Sequence, residues 1–136
     1  MSKGYDQPDV FTYYFKDHDF GTGSDITSVI AVPLDSNGIG KAGRVIGVTI
    51  YDVTENFAGS TLDAGVQVGD GSDADKYYDS GRVLDETVDT TESVYLVDDG
   101  AQVAIEAGRT SVTVTFQSST GTPTGIACVA LHVGWY

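Results

Sequence analysis

The 136-residue chain is poor in several residue types, and each shortage excludes something. It has one cysteine, Cys128, so no intramolecular disulfide can form. Cys128, His18 and His132 are its only cysteine and histidines, fewer than the four ligands of a structural zinc site. No window approaches the roughly 18 apolar residues of a membrane-spanning helix. The opening Met1-Ser2-Lys3-Gly4-Tyr5-Asp6-Gln7-Pro8 has no apolar core of the kind a signal peptide needs, so no signal peptide is expected. Basic residues are scarce: 7 Lys and Arg stand against 20 Asp and Glu, a formal net charge of −13. Phosphate backbones and anionic lipid surfaces repel such a chain, so neither nucleic acid nor membrane is an expected partner. Helix formers are scarce as well. No segment repeats apolar residues at 3.6 spacing over three turns, and the best helical candidate is a short turn near Asp73 to Tyr78.

What the chain does have is glycine, tyrosine, valine, threonine and serine, the composition of strands joined by tight turns. The apolar pattern has period 2 almost throughout. Val10 to Phe15 would put Phe11, Tyr13 and Phe15 on one face. Ile26 to Leu34 would do the same for Ile26, Ile30, Val32 and Leu34, with Pro33 marking an edge or a strand end. Asp35-Ser36-Asn37-Gly38 reads as a tight turn. Arg44 to Val53 is apolar on both faces (Ile46, Val48 and Ile50 against Val45, Thr49 and Tyr51), which suits the middle of a sheet. Thr61 to Val68 aligns Leu62, Ala64, Val66 and Val68. Tyr77 to Leu84 and Ser93 to Val97 read as short strands. Ala101 to Ala107 is expected to turn Val103 and Ile105 inward. In Thr110 to Gln117, Val112, Val114 and Phe116 face the core while Ser111, Thr113, Thr115 and Gln117 face water. Ser118 to Thr124 reads as a polar loop. Ile126 to Trp135 closes the series with Ala127, Val129, Leu131, Val133 and Trp135 on one face. The expected fold is all-β, a jelly-roll-like antiparallel sandwich of about eight strands. Residues 1–9 form an N-terminal arm and residues 10–136 a single domain.

Chemistry-bearing constellations are thin. His18, in Asp17-His18-Asp19, is expected in an exposed charged loop. Cys128 and His132 share a strand face but stand roughly 13 Å apart along it, too far for a catalytic dyad. No P-loop, dinucleotide fingerprint or nucleophile elbow occurs. Asp70, Asp73, Asp75 and Asp79 supply carboxylates close together in a glycine-bearing loop, a candidate calcium site, although the glycine and the closing glutamate of an EF-hand are missing. An enzyme is therefore not expected, nor is a cofactor. The aromatics Tyr13, Tyr14, Tyr51, Tyr77, Tyr78, Tyr95, Trp135 and Tyr136 could line a protein interface or a sugar platform.

The stretches Gly43-Arg44-Val45-Ile46-Gly47-Val48-Thr49-Ile50-Tyr51 and Leu62-Asp63-Ala64-Gly65-Val66-Gln67-Val68-Gly69-Asp70-Gly71-Ser72-Asp73-Ala74-Asp75-Lys76-Tyr77 resemble small β-rich head proteins of tailed bacteriophages. The resemblance spans residues 42–82. It implies a capsid decoration (cement) protein, made in the host cytoplasm and resident on the virion exterior. Its implied partners are the major capsid protein and its own copies, as a homo-oligomer, a trimer by that resemblance. Tyr5 and Pro8 of the arm and Trp135 and Tyr136 at the other end are the expected partner-binding residues. A tail or fibre component, or a carbohydrate-binding β-sandwich that uses the aromatics and calcium, are the alternatives.

Overall fold

The computed structural model describes residues 9–84, 93–100 and 103–136. Eight strands are present among them: β1 (Asp9–Asp19), β2 (Ile26–Ala31), β3 (Gly43–Leu62), β4 (Gly65–Gly69), β5 (Tyr78–Asp79), β6 (Val94–Leu96), β7 (Ser111–Gln117) and β8 (Thr120–Trp135). They form two four-stranded antiparallel sheets, ordered β1-β8-β3-β6 (sheet A) and β2-β7-β4-β5 (sheet B). The pairs are nested: β1 with β8, β2 with β7, β3 with β6, β4 with β5. A ribbon of nested antiparallel pairs rolled onto itself is the jelly-roll topology expected from the sequence. No helix occurs among the described residues; Asp73 to Tyr77 is a turn that leads into β5 at Tyr78. Tyr5 and Pro8 lie outside the described residues. Asp9, expected to end the arm, instead opens β1 opposite Trp135.

Period 2 explains the core. Val48 and Ile50 of β3, Val66 and Val68 of β4, Val112, Val114 and Phe116 of β7, and Ala127, Val129, Leu131, Val133 and Trp135 of β8 are all buried between the sheets. Burying such side chains stabilises by about 1.5–3 kcal/mol apiece. At one corner Phe116 meets Phe15 edge-on at 5.1 Å between ring centroids, and Phe20 packs on Phe57 at 5.4 Å. The Asp35 turn forms as its residues dictate. The Asp35 carboxylate accepts from the N–H groups of Asn37 (2.8 Å) and Ile39 (3.0 Å), while Gly38 takes φ +76°.

Several expectations fail for identifiable reasons. The register of β3 shifts between Val45 and Gly47, so Val45 is buried with Val48 and Ile50 while Ile46 is pushed out to 46% exposure. An extra residue in one strand moves everything beyond it to the other phase. Leu62 belongs to the end of β3 and is exposed, and Leu34 is exposed too. Residues 118–124 are not a loop. Ser118 and Ser119 are buried, and β8 begins at Thr120, pairing with Leu62 of β3. Serine, threonine and glycine disguise the start of a strand that runs along β3 from Thr120 onward. Of the expected strand Ala101 to Ala107, the described residues 103–107 make a single bridge, Ile105 to Gly43; Ile105 is buried but Val103 is exposed. Thr115 and Gln117 face outward from sheet B and are nonetheless buried by their neighbours.

Candidate interaction surfaces

The carboxylates of the candidate calcium loop do not converge. Asp70 is consumed by its own turn. One oxygen accepts from the N–H groups of Ser72 and Asp73 at 2.9 Å, and the other pairs with Lys76 at 3.2 Å. Those backbone donors, with Lys76, hold its carboxyl at about 2. Asp79 turns to the N–H of Gly81 (2.8 Å), while Asp73 and Asp75 are exposed. Among the described residues no group of three or more His, Cys, Asp and Glu is close enough to hold a metal. Asp73, Asp75 and Asp79 instead line an open cavity of about 470 Å³ together with Asp98 and Asp99. Nearby, Lys76 and Arg109 both pair with Glu106 (3.5 and 3.3 Å), whose carboxylate accepts from the Tyr77 hydroxyl at 2.9 Å. Burial and that carboxylate push the Tyr77 hydroxyl up to about 12. This end of the molecule is acidic and internally braced.

The two histidines also differ from expectation. His18 is in β1, not in a loop. β1 bulges between Phe15 and His18, with Asp17 at φ +50°, and this turns the imidazole inward. It stacks on Phe116 at 4.2 Å and meets Phe20 edge-on at 4.6 Å. Burial lowers its pKa, and the Asp19 carboxylate opposes the shift. His132 lies on the outward side of β8, between Thr12 of β1 (Nδ1 to Oγ1, 3.0 Å) and Thr49 of β3 (Nε2 to Oγ1, 2.9 Å). Hydroxyls donate or accept, so this cross-brace over three strands satisfies both ring nitrogens in either tautomer. Cys128 is buried, with Asp17 as its polar neighbour at 3.9 Å.

Trp135, expected at a partner surface, is a core residue with 1% exposure. Its ring lies over Gly43, where no side chain would fit, and its indole N–H donates to the Tyr13 hydroxyl at 3.1 Å. Tyr136 is exposed, and its backbone N–H bonds to the carbonyl of Ala42 at 2.9 Å. Tyr77 and Tyr78 are likewise buried, and Tyr13 is packed against the core.

What remains outside is the outward face of sheet A. The register aligns Val10, Gly134 and Arg44 in one row, Thr12, His132 and Gly47 in the next, then Tyr14, Ala130, Thr49 and Tyr95, and finally Cys128 and Tyr51 beside Lys16. Tyr14 and Tyr95 are 66% and 52% exposed and Tyr51 is half-buried. Gly134, Ala130 and Cys128 of β8 and Gly47 and Thr49 of β3 are small, so Tyr14, Tyr51 and Tyr95 stand above a low floor interrupted by His132. Tyr95 lies across Gly47, where a methyl group would strike it, and donates to the carbonyl of Ile46 at 3.1 Å. The first three of these rows contain no carboxylate; at the fourth, Asp17 lies 3.9 Å from Cys128, and Asp17 and Asp52 line a hollow with Lys16 and Cys128. The sequence carries a trace of this, because no Asp or Glu follows Glu106 and none lies between Gly43 and Tyr51. Recognising a face in that pattern needs the pairing of β1, β8, β3 and β6, which is not local in sequence.

Neither a protein-family model nor a curated protein matches this chain. Among solved structures, a chain of the cyanophage Pam1 capsid asymmetric unit aligns over 98% of this chain and 89% of its own length, with 18% sequence identity and a TM-score of 0.48.

Proposed function

We propose that this protein is a structural component of a tailed-phage virion and, within that class, a capsid decoration protein that binds the outer surface of the shell. A jelly roll by itself does not choose among capsid, lectin and enzyme roles. The observation that carries the proposal is the outer face of sheet A, whose rows from Val10 to Tyr95 bear exposed tyrosines and no carboxylate on an otherwise strongly acidic protein. Exposed rings on a rigid sheet give contact area at little entropic cost. The resemblance of Gly43–Tyr77 to phage head proteins supports the same reading. In it, copies of the protein, grouped as a trimer, sit on the major capsid protein, act without a cofactor and catalyse nothing. Modest interfaces, each about 1,000 Å² or more, are repeated over the lattice and linked within each oligomer, so the summed effect is large.

Quantitative mass spectrometry of purified particles tests this. The expected result is a copy number that matches the capsid lattice. A handful of copies per particle would move the protein to the tail or fibres, and its absence would sink the virion reading. The exposure of Tyr14 and Tyr95 on one flat face also suits a carbohydrate-binding module. For that reading a glycan array, run with and without calcium, should show binding that Tyr14→Ala abolishes.

A further inference from the structure

We infer that the free edge of β2 is a self-pairing site, on which β2 of a second copy of this chain adds antiparallel across a two-fold axis centred on Val29. The contact belongs to the edge of sheet B, apart from the outer face of sheet A, and joins copy to copy.

Sheet edges pair with other chains unless charge, a bulge or shortness blunts them. The edge strands here are β1 and β6 of sheet A and β2 and β5 of sheet B. β5 has 2 residues and β6 has 3. β1 is long, but it carries Asp9, Lys16, Asp17 and Asp19 and bulges between Phe15 and His18. β2 has none of these devices. Its 6 residues, Ile26-Thr27-Ser28-Val29-Ile30-Ala31, are uncharged, and its register against β7 runs from end to end without a shift. The Asp25 carboxylate just before it is engaged, accepting from the N–H of Ser118 at 2.9 Å. On a chain of net charge −13, β2 is therefore the edge that a second copy can approach without setting carboxylate against carboxylate.

The backbone fixes the register. Just past β2, the Val32 N–H donates to the carbonyl of Thr110 at 3.0 Å. In an antiparallel ladder, residues bonded to the neighbouring strand alternate with residues whose N–H and C=O point away from it. Ser28 and Ile30 share the phase of Val32, so the N–H and C=O groups of Thr27, Val29 and Ala31 point to the open edge. Among the described residues no other backbone group meets them. Setting Val29 against the same residue of the copy places Thr27 opposite Ala31 on either side, and about six hydrogen bonds form with every partner uncharged. Centring on Ser28 instead would bring Asp25 opposite Ala31. The side chains agree with this register. Ile30 is buried in its own core, whereas Val29 is 68% exposed and is covered by its counterpart. Such a contact uses the same patch on both copies. It holds by main-chain bonds and apolar burial, while the acids elsewhere repel, so added salt strengthens it.

The test is cysteine cross-linking of the purified full chain at about millimolar concentration, the effective concentration that copies held side by side would have. Opposed Cα atoms in a hydrogen-bonded antiparallel pair stand about 5.5 Å apart, within reach of a disulfide. Under mild oxidation, Val29→Cys should form a covalent dimer about tenfold faster than Val97→Cys, which is 63% exposed but lies past the end of β6. The rate should rise in about 1 M salt, where the Debye length is about 3 Å. The unsubstituted chain, whose Cys128 is buried, is the blank. Thr27→Cys should cross-link only when mixed with Ala31→Cys. Val29→Pro removes an edge donor without touching the bonds to β7, so it should lose one step of concentration-dependent association by sedimentation with its thermal unfolding little changed. The inference is overturned if Val29→Cys reacts no faster than Val97→Cys, if its rate falls with salt, or if Thr27→Cys cross-links to itself as fast as to Ala31→Cys. A folded Val29→Pro that associates as wild type overturns it as well; should that variant fail to fold, the cysteine pairs decide. All these outcomes are read on the free protein and do not depend on the virion reading.

Discussion

The two outward faces of the sandwich solve the same problem in opposite ways. On sheet B the outward side chains of the central strand β7 are covered, while Val29 on the edge strand β2 stays exposed. Thr115 is 7% exposed and Gln117 9%, although both point away from the core. The turn after β4 folds back as well, so that the carbonyl of Asp73 lies against Gly69, and Arg109 ties down the carbonyl of Asp70 at 3.3 Å. On sheet A, Gly134, Ala130 and Cys128 of β8 and Gly47 and Thr49 of β3 are small, and Tyr14 and Tyr95 stand exposed beside them. A sheet face that is capped by its own chain needs nothing further. One built as a low floor between upright tyrosines leaves area for another molecule. Shared topology therefore does not imply shared duty, and side-chain size in the middle strands makes the difference.

Removing what both faces share should have the largest effect. Phe116→Ala empties the contact with Phe15, His18 and Phe20 and should cost about 3–5 kcal/mol by urea denaturation, with both faces lost in one transition. Next comes a pair of glycine substitutions that should separate the faces. Gly69→Ala drives a methyl group into the backbone carbonyl of Asp73 and should cost about 1–3 kcal/mol while leaving particle binding intact once folded. Gly47→Ala strikes the end of the Tyr95 ring, which can swing aside, so it should cost less than Gly69→Ala in stability but weaken binding. Equal effects of the two on both readouts would erase the distinction between the faces. A smaller, pH-dependent effect belongs to His18. Its folded pKa lies below the ordinary 6.5, so the unfolded chain takes up the proton first. The stability it contributes is complete above about pH 6.5 and is lost as pH falls through the folded value. His18→Phe should flatten that part of the stability profile, measured by urea denaturation from pH 7.5 to 4.5. The smallest effect is expected for Val29→Lys. Val29 is 68% exposed on sheet B, and the change should alter stability by less than about 0.5 kcal/mol and leave particle occupancy unchanged.

Period 2 carried most of the fold into view because the core strands β4, β7 and the second half of β8 alternate without interruption. It failed at bulges and at polar strand ends. Ile46 follows the alternation on paper and leaves it in space, because an unpaired residue costs nothing in sequence and half a period in structure. Thr120 to Thr124 hid the start of a strand because threonine and glycine there carry no apolar alternation. The aspartates beside His18 point to solvent, whereas the bulge turns only the imidazole inward. The candidate surface was legible in fragments. Tyr14, Tyr51 and Tyr95 were visible as aromatics, but so were Tyr77, Tyr78 and Trp135, which are core. Only strand pairing separates the two sets, and pairing over such separations leaves no local signature.

The position of β8 has a consequence for how the molecule comes into being. It is the last strand in chain order, yet it lies between β1 and β3, with Trp135 opposite both Asp9 and Gly43. Until it docks, sheet A has no middle. Closing contacts across nearly the whole chain carries a large loop entropy, so folding should be slow, in the range of milliseconds to seconds typical of such β topologies. A nascent chain that has exposed β1 and β3 but not yet released β8 presents two unpaired strand edges. Edges of that kind are where incomplete chains pair wrongly with one another, so the interval before β8 docks is the one in which aggregation is expected.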